Sequence, residues 1–191
     1  MKSIVRPALV LFAALTLICG VLYPLAITGI GQFAFPDKTA GSLITRDGQA
    51  IGSELIGQTF TSPNYFWGRP SATGPMPNNA AASSGSNMGP SNPALINAVK
   101  NRIDALKAAD PGNTSAIPID LVTASASGLD PEISLAAAYY QAPRVARERH
   151  LSIATVHSLI DQHTESRYFG FLGEPRVNVL MLNLAIDQQN E

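Results

Sequence analysis

From Ala8 to Ile30 the chain reads ALVLFAALTLICGVLYPLAITGI, and no charged residue occurs anywhere between Pro7 and Pro36. About 20 consecutive apolar residues are what an α-helix needs to cross the hydrocarbon core of a bilayer. A helix buried in a soluble core seldom runs that far without a polar face. The pattern predicts a transmembrane helix over residues 8–30. Pro24 removes one backbone donor from it and predicts a kink or a local loosening, which a membrane segment tolerates when neighbouring groups re-satisfy the backbone. Past Pro36 the pattern shortens. In SLITRDGQAIGSELIGQTF, residues 42–60, brief apolar runs flank Asp47-Gly48, a strong hairpin signal. Residues 70–93, PSATGPMPNNAAASSGSNMGPSNP, contain no charge and no aromatic ring. Such a stretch cannot build a core of its own. It also lacks the Lys and Glu of a solvated linker, which predicts an ordered loop lying against the rest of the domain.

Helical patterning resumes at Asn92, which can cap a helix opened by Pro93, with Leu95, Val99, Ile103 and Leu106 on one face and Asp110-Pro111-Gly112 as its stop. AIPIDLVT, residues 116–123, predicts a buried strand. ASASGLDP predicts a turn in which Asp130 caps and Pro131 opens a second helix, PEISLAAAYYQA, and Pro143 is expected to break or kink it before RVARERH. Ser152 can cap a third helix, IATVHSLIDQH. In GEPRVNVLMLNLAIDQQ, Pro175 is expected early in a last helix whose apolar face holds Val177, Leu180, Met181 and Leu184. The fold class expected is a single N-terminal transmembrane helix followed by an α+β domain over residues 37–191, large enough for one core.

Charge bears on topology. Lys2 and Arg6 lie before the apolar run and Lys38 and Arg46 after it, so the side chains balance. The free amine and the very short tail, residues 1–7, predict an N-terminus inside the cytoplasm and the domain outside it, since long domains translocate largely regardless of charge. A cleavable signal peptide would be shorter and end in a small-x-small site. A lipidated cysteine would follow a small residue, whereas Cys19 follows Ile18. Lys2 and Arg6 are the only charged residues before Asp37, so the domain keeps 11 of the 13 Lys and Arg and all 14 Asp and Glu. That acidic balance argues against a nucleic-acid surface. Cys19 is the only cysteine, which excludes an intramolecular disulfide.

Asp37-Lys38-Thr39 matches the start of Asp-Lys-Thr-Gly-Thr, the phosphorylated site of P-type pumps. Ala40 and Gly41 stand where Gly-Thr belong, and no Gly-x-x-x-x-Gly-Lys-Ser/Thr loop cradles a phosphate. Asp37 is therefore not expected to accept a phosphoryl group. His157 and Asp161 share a helix face while His163 points elsewhere, short of the three or four converging ligands a zinc site needs. No Gly-x-Ser-x-Gly elbow presents a nucleophile. Gln141 leads into Arg144, Arg147 and Arg149, which could hold a phosphate or carboxylate, but a solvated face pairing with Glu148 is the expectation. Tyr65, Phe66 and Trp67 are expected in the core, and as a Trp-bearing run beside a long uncharged loop they are also candidates for a partner interface.

The motifs YFWGRPSA, SGSNMGPSNP, DLVTASASGLDPEIS, APRVARERH and GEPRVNVLMLNLAID, in that order behind one N-terminal span, resemble the C subunit of the Kdp potassium-transporting ATPase over essentially the whole chain. Two positions depart from the pattern: Ser84 breaks the Gly-Gly pair expected before Ser86-Asn87, and Met181 stands where an acidic residue is expected. The resemblance implies an accessory subunit of a high-affinity, ATP-driven potassium importer in the bacterial inner membrane. It implies two partners, a channel-like subunit that selects potassium and a P-type ATPase subunit carrying the true Asp-Lys-Thr-Gly-Thr site. It further implies help in assembly and a raised ATP affinity of the catalytic subunit. Gln141 and Arg144 are the nucleotide-contact candidates it suggests. No catalytic residue, metal or resident cofactor is expected on this chain, and ATP and K+ belong to the complex. Gly20, Ala26 and Gly29 are candidates for close helix contact with a partner. The alternative is a free-standing anchored binding or hydrolase domain.

Overall fold

In the computed structural model, which describes residues 2–189, the apolar run is one long helical element. It comprises α1 (Lys2–Leu17), a π-helical turn at Ile18–Leu22, and α2 (Tyr23–Ala34). Pro24 explains the wide turn. Its ring has no N–H and crowds the preceding turn, and the helix widens just before it, with the Tyr23 N–H donating five residues back to the Ile18 carbonyl. The apolar helix of membrane-spanning length is Ile4–Ala34, 31 residues, longer than the 8–30 expected, and none of it is buried by the rest of the chain. Asp37 lies in α3 (Pro36–Thr39), a single turn in which Thr39 Oγ1 donates to the Pro36 carbonyl at 2.9 Å and Ser42 N–H donates to the Asp37 carbonyl at 2.9 Å. Asp-Lys-Thr is here the turn that ends a helix.

The chain divides into two units, one up to Leu43 and one from Ile44 onward. At the boundary, β1 (Leu43–Arg46) and β2 (Gln49–Ser53) form the expected hairpin. Asp47 and Gly48 have φ of 52° and 76°, both left-handed, as a type I′ turn requires. The uncharged segment 70–93 is ordered against the turn at 123–129, as its composition predicted. Ser71 Oγ donates to the Gly128 carbonyl at 2.6 Å, and Ser84 N–H donates to the Ser127 carbonyl at 3.0 Å. The Ser84 side chain is exposed, so the departure there is accommodated. The tight position is its neighbour: a Cβ on Gly85 would lie 2.9 Å from the Ala126 carbonyl oxygen.

α4 (Pro93–Ala109) has the cap and opening proline expected, with Asn92 accepting from the Ala94 N–H. Residues 116–123 are not the buried strand expected. The Pro118 carbonyl accepts from Leu121 N–H to close a 3₁₀ turn (Ile119–Leu121), which buries Leu121 and exposes Ile119. Nor does a helix open at Pro131. Glu132–Ser134 is β3, and Ser134 caps α5 (Leu135–Glu148). Pro143 does not break α5. It sits on the exposed side and costs one hydrogen bond, to the Tyr139 carbonyl, while buried Gln141, Ala142, Arg144 and Val145 hold the helix from the other side. Ser152 caps α6 (Ile153–Gln162) as predicted.

Pro175 is likewise outside a helix. β4 (Thr164–Glu165) leads to a long hairpin loop, and β5 (Arg176–Asn178) pairs antiparallel with both β3 and β4, with Val177 opposite Ile133 on one side and Thr164 on the other. Asn178 then caps α7 (Val179–Asp187). Because the helix starts four residues later than expected, its inner face is Val179, Leu182, Asn183 and Ile186, while Met181 and Leu184 are half-buried. β3 and β5 thus each run straight into a helix through their own last residue. α5, α6 and α7 close over this small sheet around Ile133, Val145, Val156, Ile160, Val177 and Leu182, all with 2% exposure or less.

Candidate functional site

The irregular stretch Pro63–Gly68 passes through the centre of this domain with Phe66 and Trp67 in the core. It forms no ladder with another strand, yet buried peptide groups must be paired. Side chains from three helices pair them. Asn183 of α7 grips both sides of Phe66: its Oδ1 accepts from the Phe66 N–H at 2.8 Å and its Nδ2 donates to the Phe66 carbonyl at 3.0 Å. Gln141 of α5 treats Trp67 the same way, at 2.8 and 3.0 Å. Each amide imitates a β-bridge. Arg144 donates to the Pro63 carbonyl, to the Tyr65 carbonyl at 3.0 Å and to Gln141 Oε1 at 2.8 Å. Arg149 donates to the Asn64 carbonyl, and Arg102 of α4 to that of Gly68.

Electrostatics reinforces the arrangement. The Trp67 ring lies between two guanidinium groups, Arg144 at 4.8 Å and Arg102 at 5.2 Å from its centroid. Arg149 stacks on Tyr65 at 4.4 Å and pairs with Asp187 at 2.6 Å. Such cation–π contacts strengthen when desolvated. Burial pushes the Arg144 guanidinium down to about 10, with Asp110 and Glu148 opposing that shift, so it is charged at neutral pH. Arg102 is lowered by burial as well.

The arginine cluster is therefore not the solvated face expected. Arg144 is 2% exposed and Gln141 1%, and their polar atoms are committed to the aromatic segment. Only Arg147 matches the expectation, pairing with Glu148 and Asp110. Phe66 and Trp67 are buried in the core, as one of the two expectations for them had it, and Tyr65 is half-buried. Gly20, Ala26 and Gly29 lie along the uncovered apolar helix, and a Cβ at Gly29 would meet nothing. Asn183 and Arg102 went unpredicted from the sequence. An Asn in the middle of an apolar helix and an Arg beside Ile103 were the available signals.

His157 and Asp161 do not converge on a ligand. Tyr139 stands between them, donating its hydroxyl to Asp161 and meeting the His157 ring edge-on at 4.9 Å. That hydrogen bond raises the Tyr139 phenol, with lesser contributions from desolvation and the Asp161 charge. Among the described residues no three His, Cys, Asp or Glu side chains group to hold a metal ion. An apolar groove of about 440 Å³ lies where the 70–93 loop meets α4, lined by Pro70, Met88, Leu95, Val99, Arg102 and Val122 among others.

An apolar helix of membrane-spanning length, joined to a domain whose buried polar side chains hold its own backbone, fits a single-pass membrane protein. The comparisons are more specific. The family described as "KdpC: K+-transporting ATPase, c chain" matches residues 5–188. The potassium-transporting ATPase KdpC subunit of Janthinobacterium sp. (strain Marseille) is 71% identical over 189 residues, covering 99% of this chain and all of that one. The same subunit of Herminiimonas arsenicoxydans is 70% identical over 190 residues and the full length of both. That of Polaromonas naphthalenivorans (strain CJ2) is 67% identical over 98% of this chain and 95% of its own. The chain belongs to the KdpC family, subunits of a potassium-transporting ATPase.

Proposed function

We propose that this chain is the non-catalytic accessory subunit of a high-affinity, ATP-driven potassium importer. It helps to assemble a channel-like potassium-selecting subunit with an ATP-hydrolysing one and raises the apparent ATP affinity of the complex. The observation that carries this is the helix Ile4–Ala34, none of which its own chain covers. Lipid and the helices of other subunits supply that cover, and Gly20, Ala26 and Gly29 permit close approach. Long domains translocate largely regardless of charge, which supports a domain on the outer side of the bacterial inner membrane, as a cap over the potassium entrance, with the N-terminus in the cytoplasm.

In that topology ATP is bound by the ATP-hydrolysing partner, and K+ passes through the channel-like one. Coupling to nucleotide affinity runs through the membrane helix, biasing a two-state element of its neighbours. Gln141 and Arg144 could contact a nucleotide only if the core opened and released Trp67. The test is labelling of intact cells with a membrane-impermeant thiol reagent, using Lys107→Cys and Ala154→Cys, both exposed positions, in a Cys19→Ser background. Labelling without lysis is expected. Labelling only after lysis, in an assembled complex, would overturn the cap and return Gln141 and Arg144 to the nucleotide.

A further inference from the structure

The hairpin between β4 and β5 ends in a cluster of uncovered rings. Tyr168 is 61% exposed, Phe169 87%, Phe171 74% and Leu172 49%. Scattered exposed apolar residues are ordinary, but a contiguous cluster on one turn marks an interaction site. This turn is fixed. Tyr168 and Leu172 exchange both backbone hydrogen bonds at 2.9 Å, and Phe171 N–H donates back to the Tyr168 carbonyl at 3.2 Å. Phe169 holds φ at 54°, a left-handed conformation unusual for an aromatic residue, before Gly170 at 79°. Strain of that kind persists where surrounding structure imposes it and collects at functional positions. Arg176 holds the Tyr168 ring from beneath, at 5.2 Å from its centroid.

The rim identifies the occupant. Five charged residues flank the rings, and both basic ones are held in ion pairs: Arg167 pairs with Glu174, and Arg176 with Glu165 and Glu132. An anionic membrane surface selects unpaired basic side chains, and none is offered here. An apolar centre with a charge-compensated polar rim is instead the anatomy of a protein–protein interface. Resting on the subunit function proposed above, we infer that the tip Tyr168–Leu172 is a preformed anchor that docks into an uncharged apolar surface on another subunit of the same potassium-transporting ATPase complex.

Two experiments on the full-length chain co-expressed with the complex test this. With p-benzoylphenylalanine replacing Phe169, irradiation is expected to give an adduct with another subunit. An adduct only with lipid, only with a second copy of this chain, or none at all while the chain is in the complex, overturns the docking. The double variant Phe169→Ser, Phe171→Ser is expected to keep the parent's thermal unfolding midpoint, because both rings are exposed. It should be retained by the complex on the order of tenfold less in competition with the parent, the scale of losing interface anchors. Equal retention overturns the docking and leaves the subunit function standing. A parent chain that co-purifies with no other subunit overturns both.

Discussion

Gln141 and Asn183 each use both ends of a side-chain amide on one residue of the aromatic segment, and Arg144 adds its guanidinium to Gln141 and two further carbonyls. The energetic asymmetry of hydrogen bonding makes such residues costly to lose. A made bond contributes about 1 kcal/mol net, but an orphaned buried partner costs about 1–3 kcal/mol. Gln141→Leu keeps the volume while stranding the Trp67 N–H and carbonyl, so it should destabilise the folded domain by about 2–4 kcal/mol in urea denaturation. A loss under about 0.5 kcal/mol would show that the segment does not depend on it. Arg144→Met tests the same network with a pH signature. Burial depresses the Arg144 pKa from its ordinary value to about 10, so the unfolded chain binds that proton more tightly. Below pH 9 the group is fully protonated in both states, and the stability difference between parent and variant should not change with pH. As pH rises above 10, where the folded chain gives up that proton before the unfolded one, relief of the buried charge should move it in the parent's favour, read from denaturation midpoints.

At the scale of elements, the helix caps are not equivalent. Ser152 caps α6 at an exposed site, where its Oγ accepts from Thr155 N–H at 3.0 Å. Ser134 is more deeply engaged: its Oγ accepts from Ala137 N–H and donates to Asp120 Oδ1, and its own N–H donates to Asp120 Oδ2 at 2.7 Å. Ser152→Ala should cost about 1 kcal/mol, the usual value of a cap. Ser134→Ala should cost about 2 kcal/mol, since it also weakens the tie to the 3₁₀ turn. Midpoints in urea with unchanged slopes would check both, and equal losses would mean that the Asp120 contact contributes nothing. Ser152 is legible in the sequence as a cap, whereas the sequence points to Asp130 rather than Ser134 for α5. A cap next to an amphipathic run is a local signal. Ser134 is concealed because Glu132-Ile133-Ser134 becomes a strand only when Arg176–Asn178 arrives from the far end of the chain to pair with it.

Over the whole molecule, the folded domain and the long apolar helix answer to different environments. The helix has no cover within the chain, so substitutions in it should leave the domain's stability unchanged and act on association. Gly20→Leu and Gly29→Leu add bulk where a neighbouring helix would approach. They should lower recovery of the chain with the purified complex while the domain's unfolding midpoint stays within error of the parent. Undiminished recovery would remove these two positions from the interface.

The sequence by itself determined the features that depend on near neighbours or on composition. These are the apolar helix and its loosening at Pro24, the Asp47-Gly48 hairpin, the ordered uncharged loop, the caps at Asn92 and Ser152, and the family. Tertiary structure decided whatever depends on distant partners. Pro143 stays within a helix because the opposite face is buried, and Pro131 and Pro175 precede strands because those strands supply each other's ladder. Gln141 and Arg144 turn inward because an aromatic segment 74–81 residues away in sequence has backbone groups that nothing else can pair. A side chain able to hold a ligand is equally able to hold a peptide group, and only the fold brings one of them within reach.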